Sequence, residues 1–233
     1  LLMLDTPFNH AGEAGRAEVD YMTAQLEAMI PTLERVSGRG FRTDRLRNVL
    51  SLSKETAETW GEILGTMKAT PSPMTIFDAF VHLAPVVSLR GLPVALAWYK
   101  VRDFSTLFAE RGMNFVTATY TNAWAETAPY MDAERPLESI ARTYGRVILN
   151  NSLEHRLRLM EELIRTFRVD GLVIHSARSC KPYSVGQYDL KRILAERLSI
   201  PAVVLEADIT DERAFSEEQI RTRLEAFFET LEG

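Results

Sequence analysis

The chain has 233 residues, 46% of them hydrophobic and 25% charged, enough for one large domain or two modest ones with a proper core. A formal net charge of −5 excludes a general nucleic-acid footprint, so an acidic or CoA-type ligand would need a local basic pocket. One cysteine excludes an internal disulfide framework and points to a reducing, cytoplasmic setting, and no apolar run approaches the ~20 residues of a membrane span.

The start, LLMLDTPFNH, lacks the basic opening of a signal peptide. LLML reads as a strand end entered in mid-chain, so a fragment of a longer polypeptide is expected. Val19, Met22, Leu26, Met29, Ile30 and Leu33 recur at three- and four-residue steps and predict a helix over 15–36, stopped by Gly38 and Gly40. Thr43 and Asp44 cap a second helix with the stripe Leu46, Val49, Leu50, Ala57, Trp60, Ile63, Leu64 and Met67. The pair predicts a helical hairpin. TPSPMT at 70–75 is a rigid loop, because each proline fixes its own φ and restrains its predecessor. IFDAFVHLAPVV predicts a short buried helix broken at Pro85, and another helix begins at Gly91-Leu92-Pro93.

From about 103 the pattern changes. DFSTLFAERG predicts a short helix ending at Gly112, MNFVTATY at 113–120 a strand, and TNAWAE a loop. Helices are expected over 136–149 and 152–167, the second with Leu153, Leu157, Met160, Ile164 and Phe167 on one face. GLVIH at 171–175 is a buried strand, 185–198 a helix, and PAVVLEAD at 201–208 the next strand. SEEQ at 216–219 is a capping box opening a terminal helix with Ile220, Leu224, Phe227, Phe228 and Leu231 inside. Strands alternating with helices predict an α/β fold, a parallel sheet flanked by helices of Rossmann or flavodoxin type. The expected organisation is a helical region over 1–100 and an α/β domain over 101–233.

Such sheets bind ligands outside the carboxyl ends of their strands. Three loops are expected there: TNAW, HSARSCKPYS and EADITD. The middle one holds the lone cysteine, Cys180, between Arg178 and Lys181, with the N-terminal end of a helix expected just after it. Those charges favour a thiolate, which serves as nucleophile or soft-metal ligand. A single cysteine is more often a small buried hydrophobe, but Arg, Ser, Lys, Pro and Tyr are poor company for a core site. Asp208 and Asp211 suit either a cation or, more commonly, caps and solvated turns. His10, His82 and His155 stand apart without metal-ligand spacing. His175 fits a structural or a pocket role equally, and Trp124 a stacking or an anchoring one. No glycine pattern supports nucleotide binding.

The stretches HSARSCKPYSVGQYDLKR and IPAVVLEADITDERAFSEEQIRTRLEAF, with SPMTIFDAF and TATYTNAW before them, resemble the 2-hydroxyacyl-CoA dehydratase D-component family, which includes subunits of benzoyl-CoA reductase. The resemblance spans essentially the whole chain. It implies an iron–sulfur enzyme whose [4Fe–4S] cluster is held by three cysteine thiolates, the last at the position of Cys180. It implies a heterodimer of related subunits, an ATP-dependent activator protein that supplies a low-potential electron, and an acyl-CoA substrate. The dehydratases eliminate water by a radical route; the reductases reduce an aromatic acyl-CoA. Carried onto this chain by position in the motif, Ser176, Arg178, Ser179 and Lys181 would surround the reacting group. Cys180 would ligate the iron, and Tyr183, Ser184 and Gln187, with Ser176, would bind at the cluster as its hydrogen-bond partners. The chain departs from the family in lacking the two amino-terminal cysteines, and in running directly from Lys100 to Val101 where a longer connection is usual. A non-catalytic electron-relay subunit is an alternative. So is an unrelated thiol enzyme with Cys180 as nucleophile and His175 as base.

Overall fold

A computed structural model of the chain describes residues 2–10, 12, 14–88, 104–208 and 211–233. The helix expected at Gly91-Leu92-Pro93 and the 100/101 boundary lie outside the described residues. The chain divides into two compact units that interleave in sequence, Leu1–Gly65 with Thr119–Arg156, and Thr66–Ala118 with Leu157–Gly233.

The first unit is built from helices α1 (Arg16–Ser37), α2 (Thr43–Thr66), α5 (Thr119–Ala125) and α6 (Pro136–Gly145). α1 ends where Gly38 turns left-handed at φ 66°, a conformation glycine adopts without steric cost. The expected hairpin of α1 with α2 does not form. Val19 and Met22 of α1 pack instead on Ala141 of α6, and Leu33 is left exposed. α2 buries Leu50, Ala57, Trp60 and Leu64, whereas Val49 and Ile63 of its predicted stripe face solvent. The Trp60 indole N–H donates to the Thr121 carbonyl at 2.9 Å. That contact anchors α5, which occupies the stretch expected to be the TNAWAE loop.

LLML is not a strand among the described residues; Leu2 and Met3 are exposed. Pairing begins at Asn9, which makes an isolated parallel bridge with Asn151. Both side chains are buried. The Asn9 amide donates to the Gly145 carbonyl at 2.6 Å, and Asn151 Nδ2 donates to the carbonyls of Arg146 (3.0 Å) and Val147 (2.8 Å). This explains why α6 stops at Gly145 instead of reaching 149. Asn151 takes the carbonyls that further helical turns would have used, and a Cβ at Gly145 would lie 2.8 Å from Ala14 Cβ. Asn151→Ala strands these buried groups, so a loss of about 1–3 kcal/mol is expected in the urea midpoint. An unchanged midpoint would show that the Asn9–Asn151 contact is not a tie.

The second unit holds α3 (Ile76–Ser88), α4 (Phe104–Ala109), most of α7 (Leu153–Phe167), and strands β1 (Leu172–Ala177) and β2 (Ala202–Ala207). It also holds the one-turn α8 (Lys181–Ser184), α9 (Gln187–Leu198) and α10 (Glu217–Glu232). The strands pair in parallel from Leu172↔Ala202 to Ala177↔Ala207. The α/β expectation is met, with two strands among the described residues and helices packed on them. Val203 and Leu205 face Ile220, Leu224, Phe227 and Phe228 of α10, joined by Phe104 and Phe108 of α4. Ile174 and Val204 are on the opposite face by the two-residue repeat and are buried too; α9, with Leu190 and Leu194 buried, packs on the same strands. Gly171 lets β1 begin against α10, since a Cβ there would meet Phe227 and Leu231 at 2.8 Å. Ser216 caps α10 as expected, its hydroxyl accepting from the Gln219 N–H at 3.4 Å.

Two expectations fail in this unit. α3 does not break at Pro85 but continues to Ser88, because losing one i→i−4 bond need not end a helix whose other bonds persist. The strand expected at 113–120 is absent. Met113 and Phe115 pack on the aromatic cluster, the Phe115 carbonyl accepts from the Ile76 N–H at 2.7 Å, and Thr119 opens α5. The β-branched and aromatic residues reflected burial, not pairing.

Candidate functional site

Parallel pairing sets the carboxyl ends of β1 and β2 side by side, Ala177 beside Ala207. The Arg178 N–H extends the ladder one step to the Ala207 carbonyl at 3.3 Å. The chain then turns. The Cys180 N–H donates back to the Ala177 carbonyl at 3.1 Å, and the Ser184 hydroxyl donates to the same oxygen. The Cys180 carbonyl accepts from the N–H groups of Tyr183 (3.2 Å) and Ser184 (3.0 Å). Gln187, buried, donates its side-chain amide to the Tyr183 carbonyl at 3.0 Å. Cys180 therefore stands half-exposed at the rim of the sheet, in a turn whose backbone is bonded on both sides of it.

The structure brings Ser179, Cys180, Tyr183, Ser184 and Gln187 into this one turn. Ser176 is buried in β1, opposite Glu206. Arg178 and Lys181 are exposed. The Arg178 guanidinium lies 3.6 Å from the Glu206 carboxylate, which also accepts from the Tyr188 hydroxyl at 3.2 Å. So open an ion pair contributes little to stability. The helix expected to begin at Val185 begins at Gln187, after Gly186 at φ 89°. Cys180 caps the single turn α8 instead, in which few peptide dipoles add together.

Two of the three expected loops meet at the strand ends. The third, TNAW, is part of α5 in the first unit, where Thr121 and Asn122 are buried. A cleft of about 410 Å³ in the first unit runs along α2 beside Pro129–Ala133, with Lys54, Glu55, Glu58 and Asp132 on its walls.

Sequence reasoning underrated Asp208. It is 2% exposed, and its two oxygens accept from two backbone N–H groups, Ser179 at 2.6 Å and Asp211 at 3.1 Å. Its only sequence signal is an acid directly after an apolar strand. Asp211 is half-buried and held 2.8 Å from Arg213, whose guanidinium keeps the Asp211 carboxyl below its usual range. The His175 imidazole is pushed below its ordinary pKa, chiefly by burial; the Asp208 charge and a hydrogen bond to the Ala207 backbone pull the other way. A depressed folded pKa favours the neutral ring. Stability from this group is thus complete above about pH 6.5, the unfolded value, and is lost as pH falls through the folded value. Urea midpoints from about pH 7.5 to 5 should fall less steeply in His175→Gln than in the parent. Equal slopes would remove His175 from the acid sensitivity.

The donor set decides whether a four-iron cluster fits these residues. Such clusters take several thiolates, and this chain has one cysteine. Among the described residues no three His, Cys, Asp or Glu side chains gather as a metal-ligand group. The residues present suit one corner of a cluster and do not by themselves hold one. Among the described residues no helix is long and apolar enough to cross a membrane.

Comparison with known proteins gives a consistent picture. A family model described as 2-hydroxyglutaryl-CoA dehydratase, D-component, matches residues 1–100 and 95–231. The chain is similar to the (R)-2-hydroxyisocaproyl-CoA dehydratase alpha subunit of Clostridioides difficile, 27% identical over 269 residues, covering 100% of this chain and 65% of the relative. It is similar to the (R)-2-hydroxyglutaryl-CoA dehydratase alpha subunit of Acidaminococcus fermentans, 25% identical, covering 100% of this chain and 55% of the relative. It is also similar to a subunit of the benzoyl-CoA reductase of Thauera aromatica, 28% identical, covering 99% of this chain and 64% of the relative. The chain thus spans between about half and two thirds of the length of these relatives. The family match falls in two stretches that meet at 95–100, where a longer family connection was expected.

Proposed function

Because the chain belongs to the 2-hydroxyglutaryl-CoA dehydratase D-component family, we propose that the whole protein is a subunit of an enzyme that removes water from a 2-hydroxyacyl-CoA. The reaction is a radical elimination that follows ATP-driven electron activation by a separate protein. Cys180 supplies one thiolate to a [4Fe–4S] cluster, and the remaining ligands come from outside these 233 residues. A related second subunit completes the enzyme.

One observation carries the reading. The lone cysteine of the chain stands half-exposed at the carboxyl end of a parallel strand, where α/β sheets bind their ligands, in a turn fixed by its own backbone. Around it this chain's residues do ordinary work. Ser184 and Gln187 hold the turn, the exposed Arg178 and Lys181 put positive charge at the rim for an acyl-CoA phosphate, and Ser176 is buried in the strand beneath. The similarity to the benzoyl-CoA reductase of Thauera aromatica supports a second reading, reduction of an aromatic acyl-CoA by the same scaffold.

The test uses the whole protein, purified without oxygen with its partner and activator. Iron and sulfide are assayed first, then ATP-dependent turnover of a 2-hydroxyacyl-CoA against an aromatic acyl-CoA. Loss of water from the hydroxyacyl thioester is expected. Turnover of the aromatic thioester alone would favour the reductase, and a protein free of iron and sulfide after reconstitution would overturn both.

A further inference from the structure

We infer that Asp208 is the positioning residue for Cys180: its buried carboxylate clamps the amide of Ser179, the residue before the thiol, to the end of the neighbouring strand. The contact joins positions 29 residues apart at 2.6 Å. Burying a carboxylate is costly unless its oxygens are well bonded, so a buried acid at a strand end calls for a reason. Here each oxygen meets its own backbone donor, Oδ2 the N–H of Ser179 and Oδ1 the N–H of Asp211. An ionised carboxylate is acceptor-only and satisfies both; an asparagine offers one oxygen and would turn its NH₂ toward the other N–H. The site therefore selects an acid over its isostere.

The clamp fixes the thiol through geometry. The Ser179 side chain is exposed, yet its amide points into the buried Asp208. One residue on, the Cys180 N–H is held by the Ala177 carbonyl of β1. The peptide carrying Cys180 is tied to β1 on one side and, through Asp208, to the end of β2 on the other. The place of the sulfur thus depends on two strands whose register is set by the core. Only the consequence for iron rests on the reading of Cys180 as a ligand; the clamp does not.

Residue-resolved amide hydrogen exchange of the whole protein tests it. In the parent, the Ser179 amide should exchange at least about tenfold more slowly than an unstructured amide. Asp208→Ala, which removes both acceptors where asparagine would keep one, should speed it roughly tenfold while amides inside β1 and α9 keep their rates, which a general loss of stability would not do. The same variant should lose iron about 10–100-fold more readily, as when a metal ligand's supporting partner is removed. A Ser179 amide exchanging at the unstructured rate in the parent overturns the inference whether or not the variant folds. An unchanged rate in a folded Asp208→Ala overturns it as well. A released Ser179 amide, in a protein whose Cys180→Ala variant keeps its iron, supports the clamp and overturns the iron reading instead.

Discussion

Replacing Cys180 by alanine in the whole protein is expected to weaken iron retention by more than about 100-fold and to abolish turnover, with the fold left intact. Removing a group that only supports a metal ligand typically costs 10–100-fold in metal affinity, so losing the ligand itself should cost more. The fold should tolerate the change because the turn is held by its backbone. The bonds from the Cys180 N–H to Ala177, and to the Cys180 carbonyl from Tyr183 and Ser184, do not involve sulfur. The side chain is half-exposed, so its truncation leaves no sealed cavity and should change stability by no more than about 0.5 kcal/mol. Iron-to-protein ratio and visible absorption after anaerobic reconstitution read the first effect, and the urea midpoint the second. A variant with a full cluster and undiminished turnover would show that Cys180 does not touch iron. A variant that retained iron but reacted poorly with alkylating reagents, where the parent reacts and stalls, would point to a nucleophile.

The largest loss of stability should come from Phe108→Ala, about 3–5 kcal/mol. Phe108 is 4% exposed and lies 4.3 Å from the Phe115 ring, 4.8 Å from Phe228 and 5.3 Å from Phe104, centroid to centroid. Its removal opens a cavity among rings on three separate stretches of chain, which cannot all close around it. Phe41, in an exposed position, is the control; Phe41→Ala should stay within about 0.5 kcal/mol. Denaturant midpoints of the two variants measure the contrast. A loss below about 1 kcal/mol for Phe108→Ala would mean that this cluster is not the core of its unit.

How much could be read from the residues alone follows from how local each signal is. α7, α9 and α10 carry helical periodicity, and the cap at Ser216 is written within four residues, so their positions were legible within about two residues. β1 and β2 are short apolar runs between helices, which suffices for a buried parallel strand. The family was legible in the same way, since its motif around Cys180 is contiguous. Segment 113–120 was not, because strand-forming residues need a partner edge, and here Phe115 found an aromatic cluster assembled from distant stretches. α1 was placed correctly but given the wrong neighbour, since an apolar stripe records that a face is buried and not against what.

The amino-acid order was enough to establish most of the helices, both paired strands, the family and a lone thiol at a strand end, because propensity, capping and motif act over a few residues. The chain's folding in space settled that α1 lies on α6, that TNAW is a helix in the other unit, and that Asp208 reaches the amide before Cys180. Those facts depend on hydrogen bonds and packing between residues far apart in sequence, and no local pattern encodes which distant group will arrive.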